Sequence, residues 1–175
     1  MVYHSSFNDE SAGFRTIGNF PILPIKTAHK GPAPKPQDPN AVDAIDEALD
    51  LFKANILFRT FEVQGNGDRV LIYLTLYITK CLLKIANLSK ADAEKQLFTM
   101  AQEQFSIPGE TSFPLGGMIT IPAARDAADN IRQALTQLRL ETGIRLVQRV
   151  YATDPARPNK WWMAFSKRKF LGKAI

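Results

Sequence analysis

Residues 68–86 read DRVLIYLTLYITKCLLKIA, and this stretch decides the fold. It is too long for an ordinary strand, although Val, Ile, Thr and Tyr suit strands. Thr75 and Thr79 are spaced four apart, as are Lys80 and Lys84, which places each pair on one stripe of a helix. A helical Thr can be buried when its hydroxyl donates to the carbonyl four residues earlier. The segment 70–79 is therefore predicted to form a helix that is apolar all round.

A helix of this kind is buried either in protein or in lipid. The charge-free run 70–79 is about half of the ~20 residues that a bilayer requires, and two lysines follow it directly. We therefore predict a central helix that the other helices of the chain surround. Asp68 or Asn66 is expected to cap its start, and Asn87 is expected to end it in the left-handed conformation.

The composition is typical of one domain of ordinary size. The chain has 175 residues, enough to bury a core without a disulfide or a metal. Its one cysteine, Cys81, cannot form an internal disulfide, which favours a reducing compartment. No apolar run follows Met1, so neither a secretory signal nor a membrane span is expected. The net charge is +5, and the acid-free segments 15–35 and 155–175 would favour an acidic partner surface.

The first 37 residues are predicted to form an extended arm. Several prolines and glycines exclude a long helix there. Phe20, Ile22, Leu23 and Ile25 are nevertheless too apolar for a solvated tail, which indicates that the arm packs on the body. A disordered tail is the alternative, and it suits 30–39 better than 20–25.

Hydrophobic periodicity predicts a helical body over 38–175. Besides the central helix, four helices are expected over 38–61, 90–105, 122–151 and 160–170. The acids Asp43, Asp46, Glu47 and Asp50 are interpreted as the solvated face of the first helix. Gly143, inside the longest helix, indicates a kink or a close helix crossing. The predicted fold is thus all-α, a single compact domain of about five helices around a central one, plus the arm.

The residues indicate no enzyme class. His4 and His29 lie in the arm, without Cys or carboxylate neighbours at metal-binding spacing. Cys81 is interpreted as a small buried hydrophobe rather than a nucleophile. The turn 65–67 lacks the Lys-Ser/Thr pair of a phosphate-binding loop. No catalytic residue, metal or cofactor is therefore expected.

The most unusual composition is at residues 160–170, KWWMAFSKRKF, where basic and aromatic residues alternate. Such a segment suits nucleic acid, a membrane surface or a protein partner. Alternatively, its aromatic residues hold a short helix on the core, although adjacent tryptophans on a helix rarely both face inward. The candidates for a partner interface are Trp161, Trp162, Lys167, Arg168 and Lys169.

Short motifs that keep their order over nearly the whole chain resemble one family. They include YHSS at 3–6, KGPAP at 30–34, FKAN at 52–55, IPGE at 107–110 and KWW at 160–162. Singly they mean little, but together they are highly specific. The chain resembles the family of subunit 3 of the actin-related protein 2/3 complex.

The resemblance implies an all-helical, non-catalytic structural subunit without a cofactor, in the assembly that nucleates branched actin filaments. It implies docking on the actin-related subunits, whose surfaces are acidic, and contact with the actin filament through the complex. It also implies a cytoplasmic location in the actin cytoskeleton, at cortical patches or cell projections. The alternative is a basic helical module that binds nucleic acid, whose affinity would fall steeply with salt.

Overall fold

The computed structural model describes residues 1–175 and places one helix at the centre of the molecule. Helix α2, Asn66–Ile85, is 20 residues long, and every residue over 70–78 is buried. The hydroxyl of Thr75 donates to the carbonyl of Leu71 at 2.7 Å, so this polar side chain is satisfied inside the core. The predicted central helix is confirmed.

Both predicted ends of α2 are wrong. Gly65 is the N-cap and makes no side-chain cap hydrogen bond, while Asp68 lies in the first turn and is fully buried. Glycine is needed at 67 because a Cβ there would lie 2.6 Å from the carbonyl carbon of Phe7, where the N-terminal segment crosses the helix. At the other end, Ala86 is right-handed, and Asn87 is not left-handed, since Leu171 is the only non-glycine residue with positive φ.

Four further helices complete the helical body. Their bounds are α1 Ala44–Asn55, α3 Lys90–Gln102, α4 Arg125–Val150 and α5 Lys160–Met163. Helices α1, α3 and α4 all contact α2, and α3 packs along α4. A Cβ at Gly143 of α4 would lie 3.3 Å from the Cβ of Leu97 of α3, so this glycine marks the predicted close crossing. None of the helices combines the length and hydropathy that crossing a membrane requires.

Helix α1 begins later than predicted because of its cap. Asp43 accepts a hydrogen bond from the amide of Asp46, and the Asp46 side chain accepts from the amide of Asp43. This reciprocal capping box satisfies the first amides of the helix better than Pro39 could. Val42 therefore lies outside the helix and is 61% exposed. Helices α3, α4 and α5 are also shorter than predicted, and α5 is a single turn.

The arm contains a small sheet, which corrects the all-α prediction. Strands β1, Thr16–Ile17, and β2, Phe20–Pro21, pair antiparallel. Gly18 allows the tight turn between them because its φ of 60° is in the left-handed region. Two 3-10 turns, Ser6–Asn8 and Glu10–Ala12, precede the sheet.

The apolar side chains of the arm are packed on the body, as predicted. The buried ones are Phe20, Ile22, Leu23 and Ile25. The start of the stretch 30–39 is held as well, since the amide of Ala33 donates to Gln137 of α4 at 3.0 Å and Gln137 donates to the carbonyl of His29 at 2.9 Å. The alternative of a disordered tail therefore does not hold for residues 30–34, whereas most residues over 35–39 are exposed.

Candidate interaction surface

The two adjacent tryptophans of α5 point in opposite directions. Asn159 caps the helix by accepting from the amide of Trp161 at 2.8 Å. Trp162 is buried, and its ring stacks on Phe52 with centroids 5.9 Å apart, under the ammonium of Lys53. Trp161 is 76% exposed. The structure therefore places Trp162 in the core and Trp161 on the surface.

Lys167, Arg168 and Lys169, called the basic segment 167–169 below, are all exposed. They do not continue the helix as predicted, because α5 ends at Met163 and the chain turns. The flanking residues Ser166 and Phe170 are buried, and the Phe170 ring meets Phe61 edge to face at 6.1 Å. Both ends of the basic segment are therefore fixed to the core while its three side chains face solvent.

The basic segment separates two surface clefts. The larger has a volume of about 640 Å³, and the smaller, of about 110 Å³, is next to α2. The larger is lined by Ile56, Leu57, Arg59, Lys167, Arg168, Lys169, Leu171 and Gly172. The smaller is lined by Leu76, Thr79, Lys80, Leu83, Ser166, Lys167, Arg168, Lys169, Lys173, Ala174 and Ile175. Neither lining includes an acidic side chain, and both include Lys167, Arg168 and Lys169, so both clefts are electropositive.

No internal partner neutralises these charges. The ion pairs of the chain involve other cations, namely His4, Lys26, Arg132, Arg145 and Arg149. Like charges at adjacent positions repel each other, and an acidic partner would remove that repulsion. The surface is therefore positively charged, and its three cations have no ion-pair partner within the chain.

The acidic face of α1 is largely buried, which corrects its interpretation as solvated. Arg145 of α4 donates to both carboxylate oxygens of Asp43, at 2.6 and 2.8 Å, and to Asp46 at 3.0 Å. Burial alone would lower the pKa of Arg145, but hydrogen bonds to Asp43 and the charge of Asp43 raise it. Only Asp50 of this face is exposed. One signal in the sequence indicates this burial. Ala44 and Ala48 make the apolar face of α1 wider than the face that its large apolar side chains form alone.

Two buried acids hold the N-terminal segment. Asp68 accepts from the amide of Ser5 at 2.7 Å and is 2.7 Å from Nδ1 of His4. Glu47 accepts from the hydroxyl of Ser5 at 2.7 Å and from the amide of Ser6 at 2.6 Å. These carboxylates accept from the amides of Ser5 and Ser6, at the start of the first 3-10 turn, where no backbone carbonyl does so.

The core holds no reactive thiolate. Burial raises the pKa of the Cys81 thiol to about 12, so it stays protonated at neutral pH. The structure contains no group of three or more His, Cys, Asp or Glu side chains placed to hold a metal.

The chain is thus a compact, mostly helical protein with an exposed basic surface. Comparison with known sequences gives its family. The chain belongs to the family P21-Arc, the ARP2/3 complex ARPC3 (21 kDa) subunit, whose sequence model matches residues 1–175.

Proteins named actin-related protein 2/3 complex subunit 3 are similar to the chain over its whole length. The Dictyostelium discoideum protein is 77% identical over 175 residues, which is 100% of both chains. The Schizosaccharomyces pombe protein is 47% identical, with 99% of each chain covered. The Arabidopsis thaliana protein is 40% identical, with 100% of this chain and 99% of its own length covered.

Proposed function

We propose that this chain is a non-catalytic structural subunit of an actin-related protein 2/3 complex and supports the nucleation of branched actin filaments. The observation that carries this proposal is the match of residues 1–175 to the family of that subunit. Its partners are the other chains of the complex, the actin-related subunits first, and through the complex the actin filament. The chain works in the actin cytoskeleton of the cytoplasm, at cortical patches or cell projections.

Within this function, Trp161 and the basic segment 167–169 contact a partner chain. Two properties support this assignment: these residues are exposed, and the clefts beside the basic segment have no acid in their linings. Arg and Trp are favoured in protein interfaces. Trp162 acts indirectly, because its packing on Phe52 fixes the position of the segment that follows. No aromatic side chain lines either cleft, so the bases of a nucleic acid would find no stacking platform there.

The test is reconstitution of the complex with the triple variant Lys167→Ser, Arg168→Ser, Lys169→Ser. Because the three side chains are exposed, the free energy of unfolding should change by less than about 1 kcal/mol. Incorporation into the complex or branch formation should weaken, and the loss should be clearest at raised salt, which screens the remaining attraction.

The matched control removes the same charge from the arm, with Arg15→Ser, Lys30→Ser and Lys35→Ser, all of them exposed residues. It should incorporate more strongly than the triple variant of the basic segment. Unchanged assembly and branching of the 167–169 variant at physiological salt would remove this surface from the interface. Equal losses in the two variants would show a general charge effect instead.

A further inference from the structure

Two exposed leucines flank the basic segment 167–169. Leu57 is 57% exposed and lines the larger cleft, while Leu83 is 54% exposed and lines the smaller one. A single exposed leucine on a protein surface is ordinary. Here two exposed leucines lie on opposite sides of three cations, and each leucine lines a cleft. Leu57, Leu83 and the basic segment 167–169 together are called the composite surface, which is apolar at its sides and positive along its middle.

The larger cleft has an apolar lining as well as a charged one. Ile56 and Leu57 follow α1 directly, and Leu171 faces them from the C-terminal segment. At about 640 Å³ the cleft is within the size range of ligand-binding clefts, roughly 300–1,000 Å³, so it can admit more than one side chain.

Leu171 adds an independent observation. Its φ of 55° is in the left-handed region, which bulky residues rarely adopt, and it is the only non-glycine residue of the chain that does so. Its amide donates to the carbonyl of Phe58 at 3.3 Å, which ties the C-terminal segment to the connection that follows α1. Strained backbone of this kind concentrates at functional sites, and here it shapes one wall of the cleft.

We propose that this composite surface receives a segment of a partner chain of the complex in which apolar side chains alternate with carboxylates. The apolar side chains enter the clefts beside Leu57 and Leu83, and the carboxylates pair with the basic segment 167–169. This inference rests on the proposed function and specifies the chemistry of the partner at that interface.

The shape of the surface favours a protein segment over a lipid bilayer. A membrane-binding face presents its apolar side chains outward so that they insert below the headgroups. Here the apolar groups line concavities, and the cations stand on the ridge between them. An alternating segment complements both features, because its apolar side chains fill the concavities while its carboxylates meet the ridge.

The experiment measures incorporation of Leu57→Ser and Leu83→Ser variants into a complex assembled from its other chains, at low and at raised salt. Val42→Ser is the control, because Val42 is similarly exposed and precedes α1, whereas Leu57 follows it. The 12 residues of α1 span about 18 Å at 1.5 Å per residue, so the two positions are well separated. We expect about tenfold weaker incorporation for Leu57→Ser and no change for Val42→Ser. The loss should not depend on salt, whereas the loss caused by the triple serine variant of the basic segment should.

A Leu57→Met variant separates lost packing from a folding defect, because it retains the apolar volume. It should incorporate like the wild type, and a loss as large as that of Leu57→Ser would overturn the inference. If both serine variants incorporate normally while the triple variant does not, the clefts are empty in the complex and only the proposed charge surface stands. If the triple variant also incorporates normally, both this inference and the proposed interface at the basic segment are wrong. Normal assembly of the leucine variants with lost binding of the complex to phosphatidylserine vesicles would assign the surface to a membrane instead.

Discussion

Arg145 binds both carboxylate oxygens of Asp43 although the two residues are 102 positions apart, with Nη1–Oδ1 at 2.6 Å and Nη2–Oδ2 at 2.8 Å. Asp43 is also the N-cap of α1. The amide of Lys26, in the arm, donates to Asp43 at 2.8 Å, and Arg145 donates to the carbonyl of Lys26. One ion pair therefore joins the arm, the start of α1 and the second half of α4.

The first prediction concerns this pair. Both side chains are nearly buried, so replacing Arg145 with Met leaves the charge of Asp43 without its main partner inside the protein. Loss of one partner of a buried pair costs about 3–5 kcal/mol. The free energy of unfolding, measured by chemical denaturation, should fall by that amount.

Arg149 supplies the control, because it pairs with Asp50 at 2.7 Å across the same two helices but in solvent. Exposed pairs contribute about 0–1 kcal/mol. Arg149→Met should therefore change the free energy of unfolding by no more than that. Similar losses for the two variants would contradict the central role of Arg145.

The second prediction is a pH dependence that Asp46 causes. Burial would raise its pKa, but the hydrogen bond from Lys26 and the charge of Arg145 outweigh burial and hold the pKa below its ordinary value of 3.8. A carboxyl with a lowered pKa in the folded state stabilises the fold above its unfolded pKa, and this contribution is lost as the pH falls through the folded value. The free energy of unfolding of the wild type should therefore drop more steeply below about pH 4 than that of Asp46→Asn. Asp50→Asn, at an exposed position of the same helix, should retain the steeper slope.

The central helix was predictable from the sequence because its signal is local. Residues 70–79 are apolar around the whole circumference of the helix, so no face of that stretch is suited to solvent. The threonine hydroxyls can donate to carbonyls of the same helix. The burial of the arm was predictable for a similar reason, since four apolar side chains close together in sequence need cover whatever the backbone does.

The acids of α1 were misinterpreted because their partners are remote. Asp43 is stabilised by Arg145 and Glu47 by Ser5, neither of which is near in sequence. A helix pattern reports polarity and period, so it cannot distinguish a solvated acid from one that a distant guanidinium neutralises. The predicted start of α1 was wrong for a different reason, because a local signal, the capping box of Asp43 and Asp46, decided it rather than the earlier proline.

The candidate interface was predictable only in part. Helix geometry indicates that one of two adjacent tryptophans faces outward, but the choice between Trp161 and Trp162 depends on the position of Phe52 in α1. The exposure of the basic segment followed from its composition. The two clefts beside it could not be predicted, because they are formed by residues of α2 and of the α1–α2 connection.

The third prediction tests the central position of α2. Leu76 is 2% exposed, so Leu76→Ala should cost about 2–5 kcal/mol, as other large-to-small core substitutions do. Leu83, on the same helix and 54% exposed, provides the matched comparison. Leu83→Ala should change the free energy of unfolding of the isolated chain by about half a kcal/mol at most. A small effect of Leu76→Ala in chemical denaturation would show that this face of α2 is open to solvent.

The last prediction concerns the arm. The buried side chains over 20–25 should protect that stretch from proteases, although only two of its residues are in a strand. Each fully buried apolar side chain contributes about 1.5–3 kcal/mol, so local opening of the stretch is rare. Brief digestion with a low concentration of proteinase K, which cleaves with broad specificity, followed by mass spectrometry, should find no cleavage between Phe20 and Ile25.

Replacing Ile22 with Ser should make the same stretch susceptible, because a polar side chain would replace one that is almost fully buried in the core. The exposed Val42 again gives the control, and Val42→Ser should leave the cleavage pattern unchanged. Rapid cleavage between Phe20 and Ile25 in the wild type would mean that the arm leaves the body often. In that case the hydrogen bonds from Lys26 to Asp43 and from Arg145 to the carbonyl of Lys26 would not be sufficient to hold it.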